Sequence, residues 1–104
     1  MSKYHAKRTT VDGITFDSTR ESQRYSELKL LERAGEITHL ELQPRYDIIV
    51  NDKNIGFYKA DFKYWDVRAG KYIIEDVKGV RTSTYRLKKK LVEALYYIEI
   101  TEVA

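Results

Sequence analysis

The spacing of apolar residues changes along the chain, and each change marks an element. The first 17 residues are polar and carry the turn pair Asp12-Gly13, which predicts a basic N-terminal arm or hairpin over 1–17 that ends at Ile14-Thr15-Phe16. Ser18 with Glu21 three residues later has the form of a capping box, good helix formers run to Ala34, and Gly35 supplies a stop. Tyr25, Leu28 and Leu31 then fall on one helical stripe, and Glu21 lies on the same packed side. After Gly35 the period becomes that of β-structure. A first strand begins at Ile37–Leu42, is interrupted by Pro44 and resumes as Tyr46–Val50; a second, rich in aromatics, covers Ile55–Val67; a third covers Tyr72–Lys78. Ser83–Tyr96 predicts a second helix with Tyr85, Leu87, Leu91, Val92 and Leu95 as its apolar members, followed by a last strand over Ile98–Val103. The order helix, three strands, helix, strand predicts an α/β unit in which helices pack on a mixed sheet.

Composition sets limits on this picture. A chain of 104 residues with 42% hydrophobic content fits one domain over 1–104 with a modest core. It has no apolar run of the roughly 20 residues a membrane span requires, and residues 1–5 lack the apolar segment of a secretory signal. The expectation is a soluble protein of the cytoplasm with no membrane partner. Without cysteine there are no disulfides and no thiolate ligands, so a metal would be held by oxygen or imidazole.

The candidate chemistry lies in carboxylates. Asp61 stands in the second predicted strand, and Glu75-Asp76-Val77-Lys78-Gly79 closes the third. Residues two apart in a strand share a face, so Asp76 and Lys78 project together while Glu75 and Val77 project oppositely. If the two strands are antiparallel neighbours, Asp61 comes close to Asp76. Such acids suit Mg²⁺, with Mn²⁺ as a substitute, and a lysine beside them suits the charge that builds on a phosphate under attack. Each residue also has a plainer reading. Asp61 could be an edge-strand charge, and Asp76 with Lys78 a surface ion pair. Glu21 could complete the acidic ring as a metal ligand or serve only its helix cap. Gln43 is either a strand-end side chain or a hydrogen bonder behind the ligands. Glu75 reads as the partner of a basic side chain, and His5 and His39 as surface residues.

The net charge of +3 and the pI near 9.0 permit nucleic-acid binding without demonstrating it. Distribution says more. Lys3, Lys7 and Arg8 open the chain, Arg20, Arg24 and Lys29 lie on the first helix, and Arg81, Arg86, Lys88, Lys89 and Lys90 follow the acidic motif. With Thr82, Ser83, Thr84 and Tyr85 at a helix N-terminus, the last group offers phosphate contacts, against the plain alternative of a solvated helix face.

Taken together, Phe16-Asp17-Ser18 before Glu21, Leu42-Gln43-Pro44, Ala60-Asp61-Phe62 and Glu75-Asp76-Val77-Lys78-Gly79 resemble the PD-(D/E)XK nuclease superfamily, and within it small phage nucleases related to Holliday-junction resolvases. The resemblance spans the whole chain and departs at Ala60, where the name-giving proline would stand. It implies a restriction-endonuclease-like core with Asp61 and Asp76 as metal ligands, Lys78 as the catalytic lysine and Glu21 as the helix-borne acid. It further implies a magnesium-dependent endonuclease acting on DNA, branched DNA above all, as a homodimer with one active site per subunit. The aromatic second strand, with Phe57, Tyr58, Phe62, Tyr64 and Trp65, is either core or part of that subunit contact. The alternatives are a nicking, restriction-like or transposase-associated endonuclease, or a DNA-binding module without catalysis.

Overall fold

The computed structural model describes residues 7–104, so Lys3 and His5 lie outside it. The N-terminal segment forms a hairpin of β1 (Thr9–Val11) and β2 (Ile14–Phe16), turned by Asp12 and Gly13, each at positive φ. It packs on α1 (Thr19–Arg33) through the Phe16 and Tyr25 rings, whose centroids are 5.1 Å apart, and through the Tyr25 hydroxyl, which donates to Asp12. Ser18 caps α1 by accepting the Glu21 N–H at 3.1 Å, and Gly35 at φ +78° ends it.

The two long strands expected from the sequence are each bent into two. β3 (Ile37–Leu42) continues as β4 (Arg45–Val50), which turns through Asn51 and Asp52 into β5 (Lys53–Lys59), which continues as β6 (Phe62–Asp66). β3 pairs with β6 and β4 with β5, all antiparallel, so the four segments form one ribbon kinked at Gln43-Pro44 and Ala60-Asp61. The legs are joined there by Gln43 N–H to Asp61 O and Ala60 N–H to Pro44 O. The kink has local causes: Pro44 has no N–H for the ladder, and Gln43 adopts φ +52°. Asp61 is therefore at a break between strands rather than inside one.

The central sheet has the order β3-β6-β7-β8, with β7 over Lys71–Val77 and β8 over Ile100–Val103. β6 and β7 are antiparallel; β8 lies parallel to β7, which requires a crossover that α2 (Ser83–Tyr96) provides. The fold is thus mixed α/β with a mixed sheet and two helices, and within that sheet the order helix, three strands, helix, strand stands. No described helix is long and apolar enough to cross a membrane.

Alternation along β7 divides the molecule into two cores. Ile73 and Val77 face a cluster of Phe16, Tyr25, Leu28, Ile37, Phe62 and Tyr64 beneath α1. Ile74 faces a second cluster with Ile48, Tyr58, Tyr85, Val92 and Ile100 beneath α2 and the β4-β5 leg. Full burial of a side chain such as Leu28 or Phe62 contributes roughly 1.5–3 kcal/mol. Tyr58, Phe62 and Tyr64 are thus core residues, and Trp65 stacks edge-on against Tyr72 at 5.0 Å. That removes most of the aromatic surface from any subunit contact and leaves Phe57 exposed. On α2, Leu87 and Leu95 are exposed, because the sheet covers only the stripe through Tyr85 and Val92.

Candidate active site

The break at Asp61 positions the site. Where β6 has not yet begun, the Val77 N–H of β7 lacks a strand partner, and the Asp61 Oδ2 accepts it at 2.6 Å. The acid is thereby fixed against the C-terminal end of β7. From α1, Glu21 faces the same cleft as Asp61. Glu21 is nearly buried at 9% exposure, and only half of the capping box forms: its N–H binds Ser18 while its side chain turns into the site. Burial, and then the Glu21 charge, push the Asp61 carboxyl up to about 8; burial likewise raises Glu21.

Asp76 and Lys78 do project together. Lys78 Nζ is 3.3 Å from Asp76 Oδ1 and 4.6 Å from the centre of the Tyr85 ring. Asp76, 1% exposed, also accepts the Tyr58 hydroxyl, which burial and then the carboxylate push above its ordinary value, so Tyr58 stays a donor. On the opposite face Glu75 takes a two-pronged contact from Arg24, at 2.8 and 2.6 Å, and the Tyr64 hydroxyl. Glu75 is therefore an ion-pair partner as expected, and Arg24 is the basic side chain it meets.

Glu21, Asp61 and Lys78 line one open cleft of about 370 Å³ together with Asp17, Gln43 and Lys59. Gln43 lines this cleft, and its left-handed backbone makes it part of the kink. Among the described residues no group of three or more acidic or imidazole side chains is arranged to hold a metal ion. The donor chemistry is that of a hard cation's ligands: Glu21 and Asp61 line one cleft and the Glu21 charge raises the proton affinity of Asp61, a repulsion that a proton or a cation relieves, and Asp76 stands near the end of the neighbouring strand. Glu21 and Asp61 would hold the cation; Asp76, expected from the sequence as a ligand, does not line the cleft and has its two oxygens toward Lys78 and Tyr58.

The expected DNA contacts divide. Lys7, Arg8 and Arg86 are exposed and Lys88 half-buried. Arg81 and Lys89 are drawn to Glu102, at 2.9 and 4.0 Å. Tyr85 is a correction: it is 7% exposed and its hydroxyl donates to Glu102 at 2.7 Å, because its ring fills the space beneath α2. It forms a cleft wall, not a phosphate contact. Sequence reasoning passed over Tyr58 and Lys59. Both stand just before Asp61, and strand alternation alone would have turned Tyr58 toward Asp76 and Lys59 toward solvent.

No curated protein and no solved structure matches the chain. A family pattern does, over residues 1–103, and on that match the chain belongs to the family described as "Protein of unknown function (DUF1064)".

Proposed function

We propose that this chain is a metal-dependent DNA endonuclease on a restriction-endonuclease-like core, which hydrolyses phosphodiester bonds at four-way junctions as a homodimer. The observation that carries the reading is the convergence of Asp61, pinned by the Val77 N–H, with Glu21 and Lys78 in one cleft. A binding module without catalysis has no use for acids pressed together where a phosphate must approach.

A magnesium or manganese ion bound by these acids supplies Lewis acidity toward the phosphate and the attacking water. The remaining work falls to the chain. Lys78 holds positive charge at the cleft, where the phosphate oxygens gain negative charge as water attacks phosphorus and the bond to the leaving oxygen breaks. Asp76, with one oxygen on Tyr58, keeps the ammonium in place. Glu21 and Asp61 orient the water. Lys7, Arg8 and Arg86, exposed on the surface, supply phosphate contacts that weaken as salt rises. Two nicks placed symmetrically across a junction require two such clefts, which a two-fold pair of chains provides.

The test is a titration of Mg²⁺ and Mn²⁺ against a labelled four-way junction, a linear duplex and a single strand. Cleavage that needs the ion and is fastest on the junction supports the reading in full. A monomer that cuts the duplex equally fast removes the junction and dimer assignment, and absence of cleavage with either ion removes the nuclease.

A further inference from the structure

A second cleft adjoins the acid-lined one and has a different chemistry. It occupies about 330 Å³ between β5 and the start of α2, lined by Phe57, Lys59, Lys78, Thr82, Thr84 and Lys88 among others. Lys59 and Lys78 line the acid-bearing cleft as well, so the two clefts share a wall. Phe57 is 40% exposed, although Tyr58 beside it is buried; it stands on the outer face of the β4-β5 leg, where Arg45 pairs with Lys59 across the strands. Around its ring are three cations: the Arg45 guanidinium at 4.0 Å, the Lys88 ammonium at 5.6 Å and the Lys59 ammonium at 5.9 Å.

Cation–π attraction accounts for Arg45 but not for a phenyl ring left in water at a cationic cleft. The other components point to an anionic strand. The N-terminus of α2 opens into the cleft with Thr82 as its cap, its first turn carries no acidic residue, and the Thr82 and Thr84 side chains are exposed. An aromatic face beside lysines and a helix N-terminus is the arrangement that takes a base by stacking and its phosphate by charge.

We propose that this cleft holds an unpaired nucleotide of the DNA strand under cleavage, with its base on Phe57 or on the adjoining Arg45 plane and its phosphate among Lys59, Lys88 and the α2 N-terminus. The occupant rests on the reading of the chain as a DNA nuclease. A base inside a continuous duplex reaches Phe57 only by leaving its stack, a cost that a branch point or frayed end has already met. The cleft thus selects DNA with an unpaired nucleotide next to the scissile phosphate. Stacking has no hydrogen-bond readout, so the selection is for structure and not for sequence.

The experiment measures binding of the full chain, without divalent ions, to a short single strand carrying 2-aminopurine and to the same sequence as blunt duplex. On the wild type and on Phe57→Tyr the fluorescence of the strand is quenched. Phe57→Ala binds the strand about 10-fold more weakly, loses the quench and shifts much less on duplex. Because Phe57 is exposed, the alanine variant folds, and the tyrosine variant controls for the ring. Equal losses on strand and duplex, or an unchanged quench in Phe57→Ala, overturn the proposal. No bond is cut in these titrations, so they separate from the nuclease reading: ion-dependent cleavage that Asp61→Asn abolishes, with Phe57→Ala binding like wild type, sinks the stacking site alone. Phe57-dependent quenching in a chain that cleaves nothing sinks the nuclease alone, and absence of binding to either DNA sinks both.

Discussion

The Asp61 carboxylate accepts the main-chain N–H of Val77 at 2.6 Å, which ties the acid at the ribbon kink to the strand that carries Asp76 and ends at Lys78. One hydrogen bond thereby fixes the spacing of residues from two separate parts of the chain.

Asp61→Asn tests the acid without the fold. The asparagine oxygen can still accept from Val77, and the repulsion from Glu21 disappears. The variant is expected to lose ion-dependent cleavage by at least about 100-fold, with a melting midpoint equal to or above that of the wild type. A clear fall in the midpoint would mean that Asp61 serves the fold first.

Stability of the ion-free chain should fall as pH rises. Asp61 is held at about 8 in the folded chain against an ordinary value of 3.8, so between these the folded chain keeps a proton that the unfolded chain has released. The contribution is fully present below the ordinary value and is lost as pH rises through about 8. A divalent ion replaces the proton, so the gain in melting temperature from magnesium over EDTA should be larger near about pH 8 than near about pH 5. A gain that is flat or larger in acid would contradict the assignment.

Glu21 and Ser18 separate catalysis from capping. Ser18→Ala removes the acceptor of the Glu21 N–H and should cost about 1 kcal/mol of stability with cleavage per folded molecule retained. Glu21→Gln keeps the cap and should lower turnover at unchanged stability. Chemical denaturation and cleavage rates on both variants check the division, and the opposite pattern would return Glu21 to a purely structural role.

The Arg24–Glu75 contact makes a prediction about stability alone. Glu75 is 2% exposed, and removal of its cation leaves a buried carboxylate with only the Tyr64 hydroxyl. Arg24→Met should therefore destabilise by about 3–5 kcal/mol. Tyr64→Phe, which removes one donor and leaves the ion pair, should cost about 1 kcal/mol. Urea titrations decide, and a loss in Arg24→Met below that of Tyr64→Phe would show the pair to be dispensable.

Local pattern in the sequence determined much of this protein. Ser18 and Gly35 bracket α1, Asp12-Gly13 and Asn51-Asp52 make turns, and the period of two along Ile73 to Lys78 separates Glu75 from Asp76, because these features depend on residues close in the chain. The coincidence of Asp76 with Lys78 follows from the same alternation. What the sequence could not decide required contacts across the fold. Pro44 announced one break, but the matching break at Ala60-Asp61 follows from its pairing with Gln43-Pro44 on the other leg. Whether Glu21 completes a cap or turns to Asp61, whether Tyr85 meets solvent or Glu102, and which basic side chain Glu75 meets were equally open. In each case the side chain had a local partner and a distant one, and burial decided between them, since a charge or hydroxyl removed from water is held only where another group satisfies it.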